Sequence, residues 1–252
     1  GCTGAKLLVP VMARLLDDVP VPTQAWIGEP TDWAVYQAHK GIVQSGVTVH
    51  GRGGHSSLPH AGVNAIAVAA RAIECIGQYQ QELRKPVESM RALFGDAPHT
   101  TLNVGTIQGG TATNMIPEKC HFGLGYRPLP EGDPLAPFHE IERRLRELDL
   151  TDHGGGDREA RIELEPPRVV PPLRSPADTP LADALQAALG ETPRGGAPYA
   201  TDGGRFSEVG IDVLICGPGE LAQAHQPNES VSLHAFERGP DLIRQVIEQI
   251  CM

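Results

Sequence analysis

Residues 118–127 have the sequence EKCHFGLGYR, and this stretch decides the fold of the central part of the chain. Apolar side chains occupy every second position, at Cys120, Phe122, Leu124 and Tyr126. Successive side chains of a strand point to opposite faces of a sheet, so this alternation predicts a β-strand with one buried face.

The segments on either side of this strand predict a complete small domain. Working outward, strands are predicted at 42–50, 100–108 and 160–165, and amphipathic helices at 63–84 and 137–148. The resulting order is β-α-β-β-α-β, which is that of the ferredoxin-like split unit. We therefore expect an α+β domain inserted between two α/β pieces.

The flanking pieces carry weaker patterns. An amphipathic helix is predicted at 4–16, a strand at 24–28 and a buried strand at 211–216. Thr179 and Pro180 form a typical helix start, and Pro240 is expected to open a last helix. The proline-rich stretch at 166–172 predicts a stiff linker.

Composition excludes several classes of protein. The 252 residues include 21 Lys and Arg against 31 Asp and Glu, a formal charge of −10, which argues against a general nucleic-acid binder. The five cysteines form no CxxC pair, which favours reduced thiols in a cytoplasmic protein. No apolar run approaches the ~20 residues that would span a membrane.

Two loops that follow predicted strands carry candidate metal ligands. Glu29 lies in Gly28-Glu29-Pro30-Thr31, where it is either a ligand or a solvated acid. His225 lies in the loop 217–229, framed by glycine and proline, where it is either a zinc ligand or an exposed histidine.

Three further turns carry groups that could contact a ligand. His55 follows the glycine-rich turn at 51–54, whose glycines either admit a ligand or merely allow a positive φ. Arg127 ends the alternating strand and could clamp a carboxylate or remain solvated. The turn at 200–206 could form an anion nest or simply cap a helix.

In their order along the chain, these stretches resemble the zinc-dependent aminoacylase/carboxypeptidase family. The matching stretches are GEPT at 28–31, AHKG at 38–41, GHSSLPHAGVNAI at 54–66, NMIP at 114–117, YRPLP at 126–130, TDGGRF at 201–206 and GPG…AHQPNE at 217–229. The GHSSLP and AHQPNE stretches are similar to the branch that hydrolyses N2-acetyl-L-ornithine in arginine biosynthesis. TDGGRF is similar to the branch that hydrolyses N-succinyl-diaminopimelate.

The resemblance implies a role for each candidate residue. Glu29 and His225 would each ligate one of two zinc ions, for which cobalt is a possible substitute. His55 would stabilise the oxyanion in the active site of a partner subunit. The substrate would be held by the residues Asn114, Thr113, Arg127, Thr201, Gly203 and Arg205.

The resemblance also implies an α/β fold, namely a catalytic domain split by a ferredoxin-like lid that forms a homodimer. The expected domains are 1–38 and 169–252 for the catalytic part and 39–168 for the lid. The family's remaining ligands and its general base match nothing in these residues. We therefore expect a C-terminal portion of a deacetylase that is inactive alone. The alternatives are a desuccinylase or related enzyme, and a non-catalytic dimerisation protein.

Overall fold

The computed structural model describes residues 3–16, 18–151 and 159–251, and the chain divides into two compact units. The flanking unit comprises Gly1–Gly41, Glu88–Pro98 and Val170–Met252. The inserted unit comprises Ile42–Val87 and His99–Val169. Residues 88–98, which the sequence placed inside the lid, thus cluster with the flanking unit.

The elements are numbered in chain order. The strands of the described residues are β1 (Gln24–Ile27), β2 (Ala38–His39), β3 (Ile42–His50), β4 (Gly54–His55), β5 (Thr101–Gly109), β6 (Met115–Ile116), β7 (Lys119–Arg127), β8 (Arg161–Leu164), β9 (Arg168–Val170), β10 (Leu173–Arg174), β11 (Gly196–Ala197) and β12 (Asp212–Ile215). The α-helices are α1 (Thr3–Leu8), α2 (Met12–Leu16), α3 (Ala65–Leu83), α4 (Arg91–Phe94), α5 (Ala136–Arg146), α6 (Pro180–Leu189), α7 (Gly203–Ser207) and α8 (Leu233–Cys251).

The inserted unit is an antiparallel sheet in the order β5-β7-β3-β8. With α3 and α5, this strand order is that of the ferredoxin-like split unit, so the predicted architecture is confirmed. The alternating side chains of β7 are buried in one core with α3 and α5, as the sequence predicted. Asn64 begins α3, where its side chain accepts hydrogen bonds from the N–H groups of Ile66 and Ala67.

The flanking unit contains two small sheets. Strand β1 pairs in parallel with β12, and β2 lies between β10 and β11. Helices α6 and α8 pack on one another, and their buried residues share a core with Leu214 of β12. As expected, Thr179 caps α6: its hydroxyl accepts a hydrogen bond from Ala182 N–H at 3.1 Å.

Three local predictions were wrong. The helix predicted at 4–16 is interrupted by a 3-10 turn at Val9–Val11, because Pro10 lacks the N–H that a continuous helix needs. Pro240 lies inside α8, which begins at Leu233 rather than at the proline. The predicted linker contains strand β9.

No helix of the described residues is both long and apolar enough to cross a membrane.

Candidate active site

Glu29 lies at the carboxyl edge of the parallel pair β1 and β12. The segments that follow these two strands stay in contact. Gly217 N–H donates to Thr31 Oγ1 at 3.0 Å, and Trp33 N–H donates to Gly217 O at 2.9 Å. A β-carbon at Gly217 would lie 2.6 Å from the carbonyl oxygen of Glu29. Only glycine permits this approach, which places the loop 217–229 against Glu29.

The electrostatic surroundings of Glu29 indicate a position suited to a cation. The carboxyl group is half-buried, and this burial is the main reason why its pKa is raised. The negative charge of Asp202 raises the pKa further, whereas His225 lowers it. A nearby cation would stabilise the ionised form of Glu29 and offset both unfavourable effects.

His225 occupies the loop that faces Glu29. Its φ angle is +62°, a left-handed conformation that is uncommon outside glycine. The imidazole is exposed, and the N–H of His225 donates to Glu229 Oε2 at 3.3 Å. Glu29, Gly219 and Glu229 line a cleft of about 430 Å³ beside this loop.

The donor set of this edge fits zinc in kind but not in number. A carboxylate oxygen and an imidazole nitrogen are common zinc ligands. One carboxylate oxygen of the neighbouring Asp202 is buried and has no hydrogen-bond partner among the described residues. Within those residues, however, no group of three His, Cys, Asp or Glu side chains could hold a metal ion.

The turn that begins at Thr201 belongs to the same unit. Thr201 is 2% exposed, and its Oγ1 accepts a hydrogen bond from Gly203 N–H at 3.0 Å. Arg205 Nη1 donates a hydrogen bond to Glu208 Oε2 at 3.0 Å, so one nitrogen of its guanidinium group is already engaged. Five predicted site residues therefore lie in the flanking unit, namely Glu29, Thr201, Gly203, Arg205 and His225. Asp202 lies between Thr201 and Gly203 in the sequence.

The inserted unit brings two other predicted residues together. Strands β4 and β6 pair so that His55 lies opposite Met115, and Ser56 N–H donates to Asn114 O at 3.0 Å. Ser57 N–H donates to His55 Nδ1 at 3.2 Å. The neutral imidazole of His55 must then carry its proton on Nε2, where it is an available donor.

Arg127 does not join this pair within one copy of the unit. It ends β7, whereas Glu118, just before β7, accepts a hydrogen bond from Gly51 N–H in the turn that leads to His55. The eight residue steps from Lys119 to Arg127 span about 27 Å at about 3.4 Å per residue. Among the described residues, Arg127 has no carboxylate partner, which leaves its guanidinium able to bind an anion.

Three residues near Glu29 and Thr201 were missed as site residues. Asp202 lies in the matching stretch TDGGRF, where an acidic residue next to Thr201 is the sequence signal for a further site residue. Tyr199 donates to Pro30 O at 3.4 Å, and its pKa is raised to about 12, first by burial and then by Glu29. His39 lies in the matching stretch AHKG and is fully buried against Thr201.

Comparison with known proteins gives consistent matches. The M20 peptidase dimerisation domain matches residues 37–153. An acetylornithine deacetylase from Edwardsiella ictaluri is 34% identical over 230 residues, which cover 89% of this chain and 56% of that protein.

Solved structures agree on the fold. A tripeptidase from Staphylococcus aureus has a TM-score of 0.68 at 22% identity, covering 98% of this chain and 60% of the other. An M20 family metallo-carboxypeptidase from Sulfolobus solfataricus has a TM-score of 0.61 at 16% identity, covering 97% and 65%.

The chain belongs to the M20 peptidase family. This membership confirms the resemblance inferred from the sequence, and the dimerisation domain corresponds to the expected lid. The chain spans a little over half the length of the acetylornithine deacetylase that it matches. The individual roles of the nine candidate residues stay predictions.

Proposed function

We propose that this chain forms part of a zinc-dependent amide hydrolase that converts N2-acetyl-L-ornithine to L-ornithine and acetate. The observation that carries the proposal is the convergence of Glu29 and His225 at the carboxyl edge of β1 and β12. This edge is the usual location of ligand sites in α/β sheets. The name and the 34% identity of the Edwardsiella relative support the choice of substrate.

Glu29 and His225 would each hold one of two zinc ions, with further ligands supplied from outside the described residues. When bound, zinc supplies a water of lowered pKa and polarises the acyl carbonyl. The raised pKa of Glu29 suits it to zinc binding, because a bound cation would stabilise its ionised form.

His55 donates its Nε2–H to the oxygen of the acyl group, where negative charge develops during attack on the carbonyl carbon. The hydrogen bonds from Ser57 to Nδ1 hold the ring in the tautomer that this donation requires. Asn114, whose carbonyl binds the backbone beside His55, lies close enough to share the same ligand.

Arg127 binds the carboxylate of the amino-acid portion as a bidentate partner. The N–H groups of Thr201, Gly203 and Arg205 already donate within the protein. The 201–205 turn would therefore contact the same carboxylate through its other N–H groups. These contacts hold the scissile amide in register without taking part in the bond changes.

A homodimer is part of the proposal, and the geometry of the inserted unit supports it. The two ends of β7, Lys119 and Arg127, are about 27 Å apart. The turn that leads to His55 is bonded to Glu118, next to the Lys119 end, so one copy would not bring both His55 and Arg127 to one small substrate. A partner copy would supply His55 to the site that contains Arg127. The M20 dimerisation domain that matches this region supports such an assembly.

A cytoplasmic location is part of the proposal. Among the described residues, Cys75, Cys120, Cys216 and Cys251 are all free thiols, as expected in a reducing compartment.

Two observations favour other functions. The TDGGRF stretch favours N-succinyl-diaminopimelate as the substrate. The lack of a third metal ligand among the described residues favours a non-catalytic dimerisation protein.

The test is an assay of the full gene product with both acyl amino acids in the presence of zinc. Glu29→Gln and His225→Asn should each remove zinc and turnover. Glu248→Gln, on the exposed face of α8, is the matched control and should retain both. Turnover that persists in both site variants would refute the proposed roles, and preference for the succinyl substrate would replace the acetyl assignment.

A further inference from the structure

His39 makes two specific hydrogen bonds at the centre of the sheet β10-β2-β11. It is 0% exposed and pairs with Leu173 on one side and Ala197 on the other. Thr201 N–H donates to His39 Nε2 at 3.2 Å, across 162 positions of the sequence. Since Nε2 is the acceptor, Nδ1 carries the ring proton and donates to Lys40 O at 2.9 Å.

The N–H of Thr201 depends on this histidine because Thr201 is itself buried. An unpaired donor at 2% exposure would carry a desolvation penalty. Downstream, the turn is confined by close packing: a β-carbon at Gly204 would lie 2.1 Å from Pro171 O. His39 therefore holds the start of a turn whose end is already fixed.

Lys40, the neighbour of His39 in the chain, also holds a separate segment, residues 88–98. Lys40 Nζ donates to Ala97 O at 2.6 Å and lies 5.4 Å from the ring of Phe94. That ring covers Gly196 of β11, where a β-carbon would lie 2.3 Å from a ring carbon. Residues 88–98 are thus attached to the strand that leads into the Thr201 turn.

We propose that His39 is a positioning residue that sets the backbone of the Thr201 turn for substrate binding. An apolar side chain of similar size would fill the same space but would leave both Thr201 N–H and Lys40 O without their partner. The substrate-binding part of this inference rests on the proposed function. The positioning part rests on the two hydrogen bonds alone.

Two variants of His39 separate its two hydrogen bonds. His39→Gln places an acceptor near the position of Nε2, whereas His39→Asn places a donor near Nδ1 and removes the acceptor for Thr201. Hydrogen exchange at the Thr201 amide should be about tenfold faster in His39→Asn and within about threefold of wild type in His39→Gln. In the full gene product, KM should rise about tenfold for His39→Asn with kcat within about threefold, and His39→Gln should restore KM.

Exchange that is equally fast in both variants, or unchanged in both, would overturn the proposal. The wild-type protein provides a measurement that needs no variant: nitrogen-15 shifts should show the His39 proton on Nδ1, and a proton on Nε2 would overturn it. These readouts need no substrate. Absence of turnover by the wild type would therefore refute the proposed function while leaving the positioning role supported.

Discussion

Acidification should destabilise the flanking unit through His39. Burial is the largest of the effects on this ring and lowers its pKa from 6.5 to about 4. In the unfolded chain the ring has its ordinary pKa, so the unfolded state binds more protons between pH 4 and pH 6.5. The neutral ring therefore contributes stability that is fully present above pH 6.5 and is lost as the pH falls toward 4.

The size of the effect follows from the two pKa values. A lowering of about 2.5 corresponds to a limit of about 3.4 kcal/mol. Between pH 7 and pH 5, where the folded ring stays neutral and the unfolded ring becomes charged, the loss amounts to about 2 kcal/mol. Because Glu29 and other carboxyl groups also titrate, the prediction concerns the difference between wild type and His39→Gln.

Urea unfolding followed by tryptophan fluorescence measures this difference. Trp26 and Trp33 are the two tryptophans of the chain, and both lie in the flanking unit, so their signal reports on that unit. Between pH 7 and pH 5 the wild type should lose about 2 kcal/mol more unfolding free energy than His39→Gln. Equal losses in the two proteins would show that His39 titrates normally and would refute the reasoning.

Other predictions concern separate features. Gly217→Ala forces a β-carbon to within 2.6 Å of Glu29 O and should cost about 2 kcal/mol in the same assay, whereas Gly28→Ala, with open space around it, should cost far less. Asn64→Ala removes the cap of α3 and should lower the unfolding free energy of the inserted unit by about 1 kcal/mol, measured by amide exchange; an unchanged value would contradict the capping role. Elemental analysis of the dialysed chain should find less than one zinc per molecule, and two retained ions would show that the described ligand set is sufficient. Light scattering should give the mass of a dimer, and a monomer would count against His55 acting in a partner's site.

The long elements were predictable because their own side-chain pattern determines them. The alternation in 118–127 and the apolar spacing in 63–84 survive in β7 and α3 because each element contributes its apolar face to one core. Local capping chemistry was equally informative at Thr179, where the hydroxyl satisfies a backbone N–H of the first turn.

The short strands could not be predicted from the sequence. β2 and β11 are two residues long and carry no measurable period, so their pairing is fixed only by distant partners. The start of α8 was predicted at Pro240 because a proline is tolerated at the first turn of a helix and is costly inside one. There the burial of Leu242 and Val246 against the α6 core outweighs the lost hydrogen bond.

The residues of the candidate site also differ in whether the local sequence marks them or only distant contacts do. Glu29 and His225 could be singled out because turn residues frame them in loops that follow predicted strands. Asp202 and His39 act through neighbours that are remote in sequence, and nothing local to His39 marks its bond to Thr201. The positive φ of His225 is likewise imposed by the surrounding loop rather than by its own preference.

The flanking unit is assembled from three separate parts of the chain, and this affects how it folds during synthesis. β1 emerges from the ribosome before the inserted unit, whereas its parallel partner β12 is made only after that unit. During translation the edge of β1 stays unpaired while the inserted unit, whose contacts are more local, is able to fold first. Folding of that unit draws its own ends together and so shortens the loops that must close before β1 can meet β12. Slowing translation between residues 170 and 211 should therefore prolong the interval in which nascent chains are prone to aggregate.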